Sequence, residues 1–329
     1  MSAPENATDE ERKTPLFDIY VMLEEPLQFS TGEIEAALLE DYPMLDINGV
    51  DPDGPLNIAC DTDQFVTSPM LMTAKGDDAH FVTLVRVPGY GTWDPAQIPA
   101  RQSIQVPDLA DRLARNRSYI CVSAGAKDDT PLERFRAARR ATCVAALFCK
   151  LPGAVAVYWQ TGDHFLTPEA VVSAADKAIS DSYPMMEWCG LQLGQDAERG
   201  VSQALSVGLN ALGGFEISFA AAPVPLGDAA NHVLTTATML LELGHDFSDG
   251  DTLGVEGQAP EESIRLRFVP EGTNGSTCDT WLLVHPQSPV DADELVGPSG
   301  SVPAPPGQSE ERRSDMGFFK RMIRGKRDS

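Results

Sequence analysis

The sequence predicts an α+β protein with mixed or antiparallel sheets, packed helices and the outline of two duplicated subdomains. Three observations carry that expectation. Leu132, Phe135, Ala138, Thr142, Ala145 and Phe148/Cys149 recur at three- and four-residue steps, which predicts one long helix over 131–149. A KLPG turn and the run AVAVYWQ (154–160) follow, so a largely buried helix feeds an interior strand. Short β-branched and aromatic runs bounded by Gly, Pro and Asp recur on both sides of that pair.

Taken in order, residues 1–14 are polar and read as disordered. LFDIYVML (16–23) is a first strand. Ser30 or Thr31, with Glu33 in the first turn, makes a capping box for a helix whose apolar face is Ile34, Leu38 and Leu39. A loop rich in Asp, Pro and Gly (46–55) leads to a short strand, LNIAC (56–60). Strands over 66–73 and 80–87 follow, joined by a KGDD hairpin. PGYGTWDPAQIP is a loop carrying Tyr90 and Trp93, ahead of a short helix around 107–114 and the strand RSYICVSAG (117–125). On the long helix, Arg134, Arg136, Arg139 and Arg140 are expected on the solvent side. After AVAVYWQ, Thr167 caps a helix with Pro168 at its first position and Val171, Val172, Ala175, Ala178 and Ile179 on its buried face.

Both capped helices end alike, the first in Tyr42-Pro43-Met44 and the second in Tyr183-Pro184-Met185. Two strand–helix–Tyr-Pro-Met units suggest duplication, although proline commonly follows a helix. Strands are expected over 187–194 and 216–220, with the glycine-punctuated VGLNALGG between them. A strong helix occupies 226–243, a tight turn 248–251, and the strands TLGV, ESIRLRFVP and DTWLLVHP complete a sheet. The expected organisation is an N-terminal tail (1–14), α+β subdomains over 15–150 and 151–286, a flexible linker (287–315) and a basic amphipathic tail (316–329).

The chain is acidic, with a formal net charge of −24 and a pI near 4.4. That balance repels nucleic-acid phosphates and favours a basic protein partner. The six cysteines are scattered through mostly apolar runs without a CxxC pair, which reads as reduced thiols. The N-terminus has no apolar core for a signal peptide, and no run of eighteen apolar residues occurs. The expected location is cytoplasmic.

GLNALGGFEISF (208–219), followed by LLELGHDFSDGDTLGVEG (240–257), resembles the C-terminal module of a bacterial family known as domain of unknown function 4261, over about residues 205–270. The Tyr158–Trp159 strand adds weaker support. The resemblance implies no activity, cofactor or partner.

Motifs for chemistry are sparse. His80, His164, His232, His245 and His285 show no metal-ligand spacing, and no HExxH, Walker or GxSxG pattern occurs. Asp246, Asp249, Asp251 and Glu256 are a compact acidic group, but they miss the EF-hand spacing and read as a turn. The DTD group at 61–63 and the Asp77-Asp78 pair are weaker still. Ser123 sits at a strand end where a nucleophile could stand, with no partner evident from sequence. No catalytic residue, cofactor or metal is therefore assigned.

The C-terminus is different in kind. Residues 317–329 hold five basic side chains and one acidic one, +4, so the rest of the chain carries −28, since −24 less +4 is −28. In a helix, Phe318, Phe319, Met322 and Ile323 share a face beside Lys320, Arg321 and Arg324. These seven are the candidate contact residues, for a protein partner or for weak peripheral contact with an anionic membrane. The leading reading is a non-catalytic protein-binding, accessory or immunity-type protein. The alternative is a small-molecule-binding protein or enzyme with a cleft between subdomains, near Ser123, Tyr158 and Trp159.

Overall fold

The computed structural model describes residues 15–27, 31–45, 47–49, 66–73, 80–88, 104–126, 128–243, 247–254, 258–273 and 276–290. The LNIAC strand, the Tyr90–Trp93 loop, the 61–63 and 77–78 acids and the tail residues Phe318–Arg324 lie outside them.

Alternating burial builds the first sheet. In β1 (Leu16–Leu23), Phe17, Ile19 and Val21 are fully buried while Asp18 and Tyr20 on the other face are half-buried. After helix α1 (Thr31–Asp41) come β2 (Ile47–Gly49), β3 (Val66–Thr73) and β4 (His80–Pro88). Helix α2 (Leu109–Ala114) precedes β5 (Ser118–Gly125). There Ile120, Val122 and Ala124 face the core, and Tyr119, Cys121 and Ser123 face away.

Helix α3 (Pro131–Cys149) is capped by Thr130, whose side chain accepts from the Glu133 N–H, and Pro131 occupies the first turn. It packs on β1, β5 and α1. Arg140, expected in solvent, is instead buried. Its Nη2 lies 3.4 Å from the Gly125 carbonyl oxygen, and burial draws its pKa down to about 10. The helix is covered on more sides than a single apolar stripe implies, because the core wraps around it.

Strands β6 (Ala154–Trp159) and β7 (His164–Leu166) complete a seven-stranded antiparallel sheet in the order β2-β3-β4-β5-β1-β6-β7. The first sheet thus runs past residue 150, and the change of sheet falls between Leu166 and Gly190. Helices α4 (Pro168–Ile179) and α5 (Met185–Trp188) span that interval.

The second sheet has the order β11-β12-β13-β10-β9-β8. Its strands are β8 (Gly190–Asp196), β9 (Val201–Val207), β10 (Phe215–Ala222), β11 (Thr252–Leu253), β12 (Ile264–Val269) and β13 (Asp279–Val284). The β10–β13 pair is parallel and the other pairs antiparallel, so the sheet is mixed, and the α+β expectation holds. Helix α6 (Leu209–Gly213) packs on α3, while α7 (Leu226–Leu241) lies across β8, β9 and β10. Among the described residues no helix is long and apolar enough to cross a membrane.

One continuous core joins the sheets. Trp159 of β6 stacks on Trp188 (centroids 6.0 Å, planes 10° apart), and Phe135 and Tyr183 pack against Trp188 at 5.6 and 6.0 Å. The Trp188 indole donates to Thr142 Oγ1 at 2.9 Å, satisfying a polar group that burial would otherwise strand. As for the two Tyr-Pro-Met units, β1 and β6 are antiparallel neighbours and α1 and α4 both pack on α3. Their connections differ, because β7 intervenes before α4.

Candidate functional site

The outer face of the first sheet gathers most of the polar and aromatic groups that its alternation sends away from α3. Asp18 pairs with Ser123 across β1 and β5, and Tyr20 stands between Cys121 and Tyr158. Ser123 donates to Asp18 Oδ1, and Cys121 Sγ lies 3.7 Å from Ser123 Oγ. Tyr20 donates to Gln160 Oε1 at 2.9 Å, and Tyr158 to Asp163 Oδ1 at 2.6 Å. The Tyr20 ring is 5.8 Å from Tyr119 and 6.1 Å from Tyr158. Three tyrosines therefore form a row across three strands, with Asp163 bonded to Tyr158 at one end and Asp18 two residues from Tyr20 on the middle strand. Asp163 adopts φ 50 in the β6–β7 turn, a left-handed conformation that Asp tolerates. The row is part of a small apolar cluster under α2: Tyr158, buried at 8% exposure, belongs to it with Met22, Val106, Leu109, Leu113 and Phe165, and Tyr20 and Tyr119 pack against it half-buried.

Electrostatics make this face a poor nucleophile site. Burial pushes the Cys121 thiol up, with Asp18 adding to the effect, so the reactive thiolate is disfavoured. Burial likewise raises Tyr20 far above the ordinary phenol range, assisted by Cys121 and Asp18, and it raises Tyr119. The expected cleft near Ser123, Tyr158 and Trp159 is only partly assembled. Ser123 and Tyr158 share this face, whereas Trp159 alternates to the other side and is buried in the core. His164, His232 and His285, the histidines whose side chains are described, offer Ser123 no base. His164 is buried opposite Trp159, with Nδ1 3.0 Å from the Gly162 oxygen and Nε2 3.1 Å from the Glu187 oxygen. His232 and His285 pack on Phe219 in the second sheet.

The acidic loop reads as a structural turn. Burial opposes its charge, yet the Phe268 N–H and Arg267 Nε hold the Asp249 carboxyl below the usual carboxylate range, at 2.8 and 2.9 Å. Asp251 Oδ2 accepts from Ser248 N at 2.7 Å, and Asp246 and Glu256 lie outside the described residues. Among the described residues no group of three His, Cys, Asp or Glu could hold a metal ion.

A cavity of about 260 Å³ opens where the second sheet meets the β6–β7 hairpin. Ser206 at the end of β9 and Glu216 at the start of β10 form one wall, Asn210 and Ala211 of α6 another, and Ser276, Thr277, Cys278 and Thr280 a third, with Thr161 at the hairpin. Glu216 Oε1 accepts from the backbone N–H groups of Gly208 (2.9 Å) and Asn210 (3.1 Å), and Oε2 accepts from the Ser206 hydroxyl. The carboxylate thus fixes the first turn of α6. Gly208 has φ 97, and a Cβ there would lie 2.7 Å from the Thr161 oxygen, so only glycine allows this approach between β9 and the hairpin.

Sequence reasoning did not single out Asp18, Tyr20, Tyr119 or Glu216. The first three could have been found from strict period-two alternation in LFDIYVML and SYICVSAG. Glu216 could not, because its neighbours come from a glycine turn and from a segment some sixty residues later.

Residues 205–272 match the family described as Domain of unknown function (DUF4261), in agreement with the resemblance of GLNALGGFEISF and the segment after it. The match spans about a fifth of the chain and contains the β9, α6 and β10 walls of the cavity. No curated protein and no solved structure matches the chain.

Proposed function

We propose that this chain is a non-catalytic binding protein whose outer sheet face takes a basic segment of another protein. The observation that carries the reading is the half-buried Tyr119–Tyr20 pair with Asp18 on the same face, backed by the buried Tyr158 and its partner Asp163. Tyrosine ring faces attract Lys and Arg, each contact contributing about 0.5–1 kcal/mol where solvent reaches it. Tyrosine also offers contact area with few rotamers to freeze. The acidic body steers a basic partner toward the face. A Ser123 hydroxyl held by a carboxylate, a disfavoured Cys121 thiolate and the packing of His164, His232 and His285 elsewhere support binding over chemistry. The unbridged thiols of Cys121, Cys143, Cys149 and Cys189 suit a reducing compartment such as the cytoplasm. The tail residues Phe318, Phe319, Lys320, Arg321, Met322, Ile323 and Arg324 supply a second, oppositely charged contact.

Fluorescence anisotropy with labelled arginine-rich and lysine-rich peptides tests the face at low and physiological salt. The full chain is expected to bind them more tightly than an uncharged control, and the D18N/D163N variant about tenfold more weakly, a loss of roughly 1.4 kcal/mol. Asparagine keeps the acceptor oxygen for Ser123 and Tyr158, so the fold is preserved. Equal binding by wild type and this variant would place the interaction elsewhere and sink the reading.

A further inference from the structure

We infer that β8 is an edge at which two copies of this chain join, their β8 strands pairing antiparallel into one continuous sheet across a two-fold axis. The strand belongs to the second sheet, so the inference is independent of the tyrosine face on the first. The two sheets end in β2, β7, β11 and β8. Three of these are blunted by shortness, with three residues in β2, three in β7 and two in β11. Strand β8 runs for seven residues, and its register with β9 is unbroken from Gly190–Val207 to Asp196–Val201.

An open strand edge is a row of backbone N–H and C=O groups, and its natural complement is another extended backbone. Nothing in GLQLGQD discourages that approach. It holds no Lys, Arg or Pro, and no bulge turns it aside. Among the described residues, no backbone group outside β9 bonds to the backbone of Leu191–Gln195. Leu191 and Leu193 are half-buried and pack on the core, where α7 lies against β8. An added strand therefore lengthens an apolar layer that already exists.

Charge selects the occupant. The stretch Leu191–Gln195 carries none, so a basic segment finds no carboxylate along it, whereas a second β8 matches it. With the axis at Leu193, that residue faces its own counterpart, Leu191 faces Gln195 and Gln192 faces Gly194, each pair on one side of the sheet. Asp196 falls opposite the uncharged Gly190. The two Asp196 carboxylates then stand about 20 Å apart, beyond the ~8 Å Debye length of physiological salt. The net charge of −24 on each chain still opposes approach, so salt strengthens the pairing. One seven-residue edge covers far less than the ~800 Å² per partner of a standard interface, so the dimer is weak, with a Kd on the order of 10–100 µM.

Sedimentation equilibrium of the full chain at up to about 200 µM, in ~0.05 M and ~0.5 M salt, reads the association. Wild type is expected to dimerise, about tenfold more tightly at the higher salt. Leu193→Lys sets like charges face to face on the axis and is expected to leave a monomer with the wild-type circular dichroism. Two cysteine variants fix the register, and they decide the question if Leu193→Lys fails to fold. On the axis, opposed α-carbons lie about 4.5–5.5 Å apart, so Leu193→Cys is expected to give a disulfide-linked dimer on mild oxidation beyond any that wild type gives. The two copies of position 195 stand about 14 Å apart, so Gln195→Cys is expected to give none beyond wild type. A wild type that stays monomeric at both salts would leave the edge to a different extended chain and overturn the assignment. Dimerisation that salt weakens, that persists in Leu193→Lys, or that crosslinks equally in both cysteine variants would overturn it as well. Peptide affinity at the tyrosine face is expected to be unchanged in Leu193→Lys, which separates this edge from the proposed function.

Discussion

At the scale of single residues, His164 is held in a contradiction. Both ring nitrogens face backbone carbonyl oxygens, at 3.0 and 3.1 Å, yet a neutral imidazole has one N–H to give. Protonation would satisfy both oxygens, and Asp163 and Glu187 favour it, Glu187 while paired to Lys177 at 2.8 Å. Burial opposes it more strongly and sets the net direction, a pKa below the ordinary histidine value. A folded-state pKa below the unfolded value of about 6.5 means that the unfolded chain binds more protons near that pH. Stability is then present above about pH 6.5 and is lost as pH falls below it. Urea midpoints at about pH 7.5 and 5.5 should show this fall in wild type, and a smaller one in H164Q, which titrates nothing there. An equal fall in both proteins would assign the effect to other groups.

At the scale of elements, the sheets are joined by a backbone contact that leaves no room for a side chain. A Cβ at Gly190, the first residue of β8, would sit 1.8 Å from the Gly162 oxygen in the β6–β7 turn. Backbone cannot yield as a flexible side chain does, so Gly190→Ala is expected to cost about 3 kcal/mol or more, read as a lower denaturant midpoint. Gly227 in the first turn of α7 is the matched control, since a Cβ there meets nothing within 4 Å. Gly227→Ala should leave stability unchanged or raise it by about 0.5 kcal/mol. The same scale shows what could be read from the chain. Helix α3 and strand β6 were legible because apolar spacing and Pro152-Gly153 are local signals. Strand β9 was not, because VSQALSV buries Ser202, Gln203 and Ser206 at 1–3% exposure and so shows no apolar alternation. Its place is set by β8 and β10 on either side, a non-local fact. The tyrosine row was half legible for the same reason. Alternation puts its members on one face, and only the order β5-β1-β6 brings them together.

At the scale of the whole molecule, burial and charge make separate predictions. Cys143, Cys149 and Cys189 lie at 0%, 8% and 1% exposure, and burial raises all three thiols, Cys143 to about 12. A thiol reagent should therefore spare these three in the native protein and count six thiols after denaturation, in the absence of air oxidation. The +4 tail should bring the full chain down with vesicles containing about a third anionic lipid at low salt, each basic residue adding up to about 1 kcal/mol, and physiological salt should weaken this. A chain ending at Ser314 should stay in solution under both conditions; identical sedimentation would make the tail inert. The position of β1 has a consequence in time. The strand made first is central, with Leu16 opposite Gly125 on one side and Tyr20 opposite Tyr158 on the other. At about 5–20 residues per second, it waits on the order of ten seconds on the ribosome before its second neighbour exists. Both edges of β1 stand open until β5 is made and one until β6 is made, and the nascent chain depends on being kept from its own copies. A fragment of residues 1–150 freezes that stage, and its failure to give dispersed amide resonances would show that the first sheet closes only when β6 is made.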